Sequence, residues 1–468
     1  MLRSARTSPR RRETELLLLI VAVSWALRIV LVMSGGQDYW PDEARYGRSR
    51  AAVAALSRGD AAAALRALDE PEHLLFGVLG VVPAAAERAF GASSKIPAAF
   101  FATFSAASVL LLWVLVGRLG GDEPVRLLAA FFFAASATQF YYARHLLPYD
   151  AAMALGLAAL VVGFRSPYRR RDSVVCGLLA AAAALTYNGY GLLSAFALLA
   201  HAAREPRSVS LVARRVIFWG AGFLAPLAAV FAVDAALGGS LGGRVVEFSG
   251  SVVQGSFAEG WSLPFAYFWH AEHLIAVLWA IAFVWSLVRR SRGDRSETLR
   301  LGLAGVVFVY GGLVVLSVVL RKIVVYGRLA RPIVPFACML AALMVASLAR
   351  RAHAGRLAAA GVLGGVALQA AANFATPLVQ MFPAEFLRLA EGSAPPAPRG
   401  ALGLLYVGHI YPKPAPPPPD CEIVVARRHP LQFLPYQYEG YAPAARAALR
   451  ATDIRMRLVV CPAEPAAP

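Results

Sequence analysis

Long apolar blocks dominate this chain and decide what it can become. They fall at about 16–33, 96–116, 125–143, 150–164, 173–187, 189–203, 216–237, 266–288, 300–320, 330–349 and 357–376. About 20 apolar residues in a helix span the hydrocarbon of a bilayer, and only structures that satisfy their own backbone hydrogen bonds survive there. The blocks predict an all-α polytopic membrane protein with about 11 transmembrane helices. Composition agrees, at 58% hydrophobic and 16% charged residues, against about 45–50% and about 25% in soluble domains. Disorder and a water-soluble enzyme are excluded. The net charge of +18 does not point to nucleic acid, because the basic residues punctuate the apolar blocks as loop charges do.

Those loop charges give a topology. The N-terminus carries Arg3, Arg6, Arg10, Arg11 and Arg12 ahead of an apolar run from Leu16. No small-residue cleavage site follows before Gln37–Trp40, so the first block reads as a retained span. With the N-terminus cytoplasmic, the short inner segments hold 23 Lys and Arg and the outer loops between spans 13, as the positive-inside rule requires. This predicts a multi-pass protein of the plasma (inner) membrane with an extracytoplasmic C-terminus. Counting 72–90 as a span would invert everything after it. That stretch is therefore expected as an amphipathic helix on the outer membrane surface, within a long outer loop, 34–95.

Residues 1–376 form the predicted membrane domain, and the composition changes at about 377. Pro-rich stretches (Ala394–Arg399, Pro412–Pro419) precede short β-like runs at 402–408, 422–426 and 456–460, with a helical stretch Pro443–Ala451. The tail, 377–468, reads as a small extracytoplasmic α/β domain. Cys421 and Cys461 flank it and are able to pair in an oxidising compartment. Cys176 and Cys338 fall in apolar blocks as packing residues.

Three clusters on the outer side carry chemistry. The first is Trp40-Pro41-Asp42-Glu43-Ala44-Arg45-Tyr46, just beyond the first span. Arg45 and Tyr46 share a helix face with Asp42, although Pro followed by acids is also how an ordinary helix start reads. The second is Arg144-His145 with Asp150, an acid at the mouth of a span, where an ionisable group must pair or line a wet cavity. Pairing with Arg144 as a helix cap is the plainer reading. The third is Arg321, Lys322, Arg328 and Arg331, four cations against the positive-inside trend. Guanidinium groups fork onto phosphate oxygens, or simply snorkel to headgroups. His73, Lys95, Tyr187 and Asn188 join the same face, and Arg28 is placed to snorkel from the outer end of the first span.

In order along the chain, these residues resemble the polyprenyl-phosphate-dependent glycosyltransferases of the GT-C superfamily, within it the family 39-like branch of protein O-mannosyltransferases and lipid A aminoarabinose transferases. The likeness covers roughly residues 10–350. It rests on Trp-Pro-Asp-Glu-Ala-Arg-Tyr after the first span, Glu72-His73-Leu74, Lys95-Ile96-Pro97, Asp150, and the stretch from Arg328 to Pro335. The chain departs where aminoarabinose transferases carry Thr-Lys-Gly, having Thr186-Tyr187-Asn188-Gly189; His73 stands nearest to the branch's lysine of the amphipathic-helix region.

The resemblance implies transfer of a sugar from a polyprenyl-phosphate donor to an acceptor hydroxyl of a glycan, lipid or protein, with inversion. Asp42 is then the general base, Glu43 orients the acceptor or Arg45, and Asp150 positions the sugar or shares base duty. Arg328, Arg331 and Lys95 neutralise the departing phosphate. No cofactor is required, and although a divalent metal on Asp42, Glu43 and Asp150 is chemically possible, the basic cluster makes it unnecessary. The rival reading is a transporter or lipid flippase, against which stands the gathering of ionisable groups at the outer edge rather than the midplane. A non-catalytic scaffold gives no reason for paired acids.

Overall fold

The computed structural model describes residues 9–33, 37, 41–69, 73–204, 208–239, 260–323, 325, 327–351 and 353–379, with three strands at 402–406, 422–430 and 453–460. Helix α1 (Pro9–Met33) leads to a 3-10 turn at Pro41–Tyr46. Three helices fill the first long loop: α2 (Gly47–Ser57), α3 (Ala61–Leu68) and α4 (Leu74–Phe90). Then come α5 (Lys95–Arg118), α6 (Glu123–Ala135), the four-residue α7 (Ala137–Phe140), α8 (Tyr149–Gly163) and α9 (Arg170–Thr186). These are followed by α10 (Gly191–Ala203), α11 (Val209–Ala236), α12 (Leu263–Glu272) and α13 (Leu274–Ser291). The last are α14 (Glu297–Val314), the one-turn α15 (Gly327–Ala330), α16 (Val334–Ala349) and α17 (His353–Val379).

All eleven apolar blocks are helical, but not all as single spans. Among the described residues, seven helical stretches are long and apolar enough to cross a membrane. The others are α6, α8, α9 and α10, of 13, 15, 17 and 13 residues. At 1.5 Å per residue these reach only about 20–26 Å, less than the hydrocarbon thickness. Two blocks are also broken. Ser136 turns extended and ends α6 inside the block at 125–143, and His273, at φ 45°, separates α12 from α13 inside the block at 266–288.

Burial ranks the helices. The stretch Gly327–Ala349, which contains α16, is 78% buried, whereas the stretches of α11 and α17 are 11% buried. α6, α13, α14 and α17 pack around α16, while α5 lies against α1 and α8, and α9 between α8 and α11. The α9–α11 crossing is closed by glycines on both sides. A Cβ on Gly177 would meet the Trp219 carbonyl oxygen at 2.1 Å, and one on Gly222 would meet that of Val174 at 2.1 Å. Small residues let membrane helices approach to backbone contact, which replaces the missing hydrophobic drive between them.

The expected β-runs are strands: β1 (Leu402–Tyr406), β2 (Glu422–Pro430) and β3 (Asp453–Val460). They form an antiparallel sheet in the order β1-β3-β2, with Leu402 opposite Val459 and a register shift between Ile423 and Val425. The helical stretch Pro443–Ala451 and the pair Cys421 and Cys461 lie outside the described residues. Cys176 and Cys338 are buried and free.

Replacing Gly177 or Gly222 with Val should cost about 1–3 kcal/mol through overpacking and lower the thermal unfolding midpoint in detergent. Gly220→Ala, two residues before Gly222 with nothing within 4 Å, should leave the midpoint unchanged or slightly raised. A wild-type midpoint for Gly177→Val would refute the close crossing.

Candidate active site

Several irregular turns meet at one end of the bundle, and they carry most of the singled-out residues. Pro41–Tyr46, Tyr141–Arg144, Asn188–Tyr190 and Arg331–Ile333 are all 3-10 turns. Backbone of this kind is tolerated at membrane depth only where protein or a cavity surrounds it.

The uppermost group is partly open. Asp42 and Arg45 have side chains 34% and 33% exposed, with Asp42 Oδ1 at 3.5 Å from an Arg45 nitrogen. Arg45 Nη1 lies 2.6 Å from His73 Nε2. Guanidinium only donates, so Nε2 is the acceptor and the His73 proton sits on Nδ1. The His73 ring stacks on Tyr187 at 5.5 Å, and Tyr187 meets Tyr149 edge-on at 4.8 Å. Arg328 closes the group, with Nε donating to the Tyr187 hydroxyl at 3.4 Å and its guanidinium 5.9 Å from the Tyr149 ring. His73 is pushed down to about 3, chiefly by burial, with Arg45 and Arg328 adding to the shift and Asp42 opposing it. It is neutral at neutral pH.

Below lies a fully buried layer. Glu43 accepts from His145 Nδ1 at 2.8 Å and from the Leu146 N–H at 3.0 Å. Both oxygens thus tie the first turn to the segment leading into α8. Gln37 Nε2 donates to the carbonyls of Val32 and Arg144, at 3.0 and 2.9 Å, and does the same for the end of α1. Arg144 itself is completely buried.

The deepest group is charged. Asp150, at the start of α8, accepts from Arg331 at 2.5 Å, and both are buried. Arg144 is therefore not the cap partner of Asp150. Arg331 also donates to Gln139 Oε1 at 3.2 Å and lies 4.9 Å over the Tyr142 ring. Arg28 corrects the expectation of snorkelling. It is 1% exposed, donates to Ser105 Oγ at 2.7 Å and to the Ser24 carbonyl at 3.0 Å, and lies within electrostatic reach of Asp150 and Arg331. A cation in the outer part of a helix can reach the headgroups only if its path is clear, and here α5 packs over it and supplies the Ser105 hydroxyl.

Gln139 and Glu272, which sequence reading passed over, hold this group in place. Glu272, wholly buried at the end of α12, accepts from Ser136 Oγ at 2.5 Å and from the N–H groups of Ala137 and Thr138 at 3.1 and 2.7 Å. It thus caps the helix that carries Gln139. The signal was present as polar residues inside apolar blocks. Tyr46 turns away from the site, donating to Glu87 at 3.0 Å beside Arg50, which makes 3.0 and 2.7 Å contacts with the same carboxylate. Lys95 opens α5 half-buried, Asn188 is exposed, and Arg321 and Lys322 are exposed beyond the π turn Val315–Val319; the observed contacts connect none of these four to the clusters above. Among the described residues, no three His, Cys, Asp or Glu side chains gather to hold a metal.

The neutral His73 makes stability pH-dependent. The unfolded chain binds a proton near pH 6.5 that the folded chain refuses until about 3. Stability from this group is therefore complete above pH 6.5 and falls as pH drops toward 3, by up to about 1.4 kcal/mol per unit. Thermal unfolding of wild type and His73→Gln between pH 7.5 and pH 4.5 should show a shallower acid-side decline in the variant. Parallel curves would contradict the assignment.

No protein-family model matches the chain, and no curated protein matches it in sequence. Solved structures do. ArnT from Cupriavidus metallidurans, bound to undecaprenyl phosphate, aligns at a TM-score of 0.52 and 14% identity, over 78% of this chain and 76% of that one. The oligosaccharyltransferase AglB from Archaeoglobus fulgidus, in complex with an inhibitory peptide and a dolichol-phosphate, aligns at 0.51 and 11% identity. That match takes in 82% of this chain but only 58% of the archaeal enzyme. The chain is a multi-pass membrane protein with the GT-C fold.

Proposed function

We propose that this protein is a membrane glycosyltransferase that moves a sugar from a polyprenyl-phosphate donor to an acceptor hydroxyl, with inversion and with Asp42 as general base. The observation that carries the reading is a contrast among three acids. Glu43 and Asp150 are buried and hydrogen-bonded within the protein, whereas Asp42 is a third exposed on the open side of the cluster. A base must reach the proton it removes, and Asp42 has that access. The GT-C fold, and the polyprenyl and dolichol phosphates bound by the two solved relatives, support a lipid-phosphate donor.

In the proposed step the acceptor oxygen attacks the anomeric carbon while Asp42 takes its proton. The bond from that carbon to the phosphate oxygen breaks, and polyprenyl phosphate leaves with the electron pair. Arg328 and Arg45 flank the neutral His73 and are the cations placed to meet the growing phosphate charge. Neutrality of His73 lets its ring pack under them without repelling either. Arg331 lies deeper, its charge offset by Asp150, and acts through the electrostatic floor of the site. Asp150 in turn positions Arg331, and Glu43 fixes the turn on which Asp42 stands. The proposed site faces the extracytoplasmic side, with the N-terminus inside and residues 377–468 as an outer domain.

The test uses purified protein in nanodiscs with a panel of radiolabelled polyprenyl-phosphate sugars, scoring release of free polyprenyl phosphate. Asp42→Asn should retain folding and lower turnover about a hundredfold to ten-thousandfold. Full turnover by Asp42→Asn would remove it as the base. No turnover of any donor by wild type, with lipid movement across the bilayer intact, would place the protein with the flippases.

A further inference from the structure

A second feature lies at the opposite end of the bundle and is independent of the proposed transfer. α10 starts beside the Asn188–Tyr190 turn and ends at Ala203, while α14 starts at Glu297 and runs toward the π turn. Between them is a groove of about 460 Å³, within the range of small-molecule sites. Its walls include Phe196, Leu199, Val307 and Phe308. Leu199 is 49% and Val307 56% exposed, so the groove opens sideways to whatever surrounds the bundle.

Charge is confined to the far end. Arg204, Glu297 and Arg300 line the groove there, just past the last residue of α10 and in the first turn of α14. Arg204 is held in place, with Nη1 donating to the Arg165 carbonyl at 2.9 Å and its guanidinium 5.4 Å from the Phe164 ring. Arg300 is exposed and makes no ion pair among the described residues. Glu297 opposes the two arginines, but it also sits in the first helical turn, where the macrodipole already accommodates an acid. The rim keeps a net positive charge, directly beyond an apolar slot.

We infer that the groove between α10 and α14 binds an anionic phospholipid of the leaflet at the end opposite Asp42, its phosphate on Arg204 and Arg300 and an acyl chain against Phe196 and Phe308. Basic pockets between membrane helices recognise anionic headgroups in this way, with about 1 kcal/mol, or roughly fivefold, for each cation near the surface. The apolar walls alone would accept any lipid. The two guanidinium groups make the choice.

The experiment is native mass spectrometry of the full chain released from nanodiscs of phosphatidylcholine and phosphatidylglycerol in equal parts, with thermal unfolding confirming that each variant is folded. Wild type should retain phosphatidylglycerol over phosphatidylcholine. Arg204→Gln with Arg300→Gln should lower that preference about fivefold per arginine. Val307→Trp, which fills the slot and leaves both cations, should abolish retention as well. Equal retention by wild type and the double arginine variant would overturn the inference. So would loss in the arginine variant with full retention in Val307→Trp, which would reduce the effect to surface charge. In discs where phosphatidylethanolamine replaces phosphatidylcholine, a preference for it over phosphatidylglycerol that Glu297→Gln removes would assign a zwitterion and overturn the anionic choice.

Discussion

A carboxylate and a guanidinium facing each other away from water hold the architecture of this protein in register. Each ion alone would cost several kcal/mol to bury, so Asp150 and Arg331 must find one another wherever the helices that carry them go. Asp150 opens α8 and Arg331 stands immediately before α16, the two helices with the most continuous burial. Their pairing sets the starts of both helices at one level, and the turns that build the site follow from that level. A buried pair of this kind adds little net stability compared with apolar residues of the same shape. What it contributes here is the alignment of two helix ends, because any slip along either axis would separate the charges.

The arrangement above the pair grades from fixed to open. Gln139 on α7 accepts from Arg331, Glu272 on α12 caps the helix that carries Gln139, and Arg28 on α1 lies within electrostatic reach of the pair. Glu43 and Gln37 then anchor the first turn, and only above them do Asp42 and Arg45 meet solvent. A reacting group needs access and also a rigid support. The layering supplies both, since the exposed acid is one residue from a carboxylate with both oxygens engaged.

Much of this was legible in the sequence, and the unread part has a physical pattern. Apolar blocks located every bundle helix, and the residues Asp42, Arg45, His73, Tyr187 and Arg328 were singled out one by one before the structure placed them in one cluster. Block length misled in two places. The block at 125–143 hides the break at Ser136 and the block at 266–288 hides the break at His273, because a helix that is broken but buried stays apolar on both sides of the break. Hydropathy reports burial, not continuity. The tail behaved oppositely: alternation and turn residues placed its three strands within a few residues, since strand period is a local property.

The members of the deep network that were misjudged or missed are polar positions within apolar blocks, namely Arg28, Gln139 and Glu272. Each has a bland reading when taken alone: a snorkelling cation, a stray amide, a helix-end acid. Arg28 and Gln139 nevertheless meet through Ser105, whose hydroxyl accepts from Arg28 and donates to the Gln139 carbonyl at 3.3 Å, and Glu272 caps the turn of helix that presents Gln139. A polar group deep in a bundle has few partners available other than another such group, so isolated anomalies in separate blocks are better read as members of one network than as independent exceptions. Six blocks contribute to it: Arg28, Ser105, Gln139, Asp150, Glu272 and Arg331 each come from a different one. Their convergence was a consequence of low dielectric and scarce partners, and it could have been inferred by asking which anomalies were able to satisfy one another.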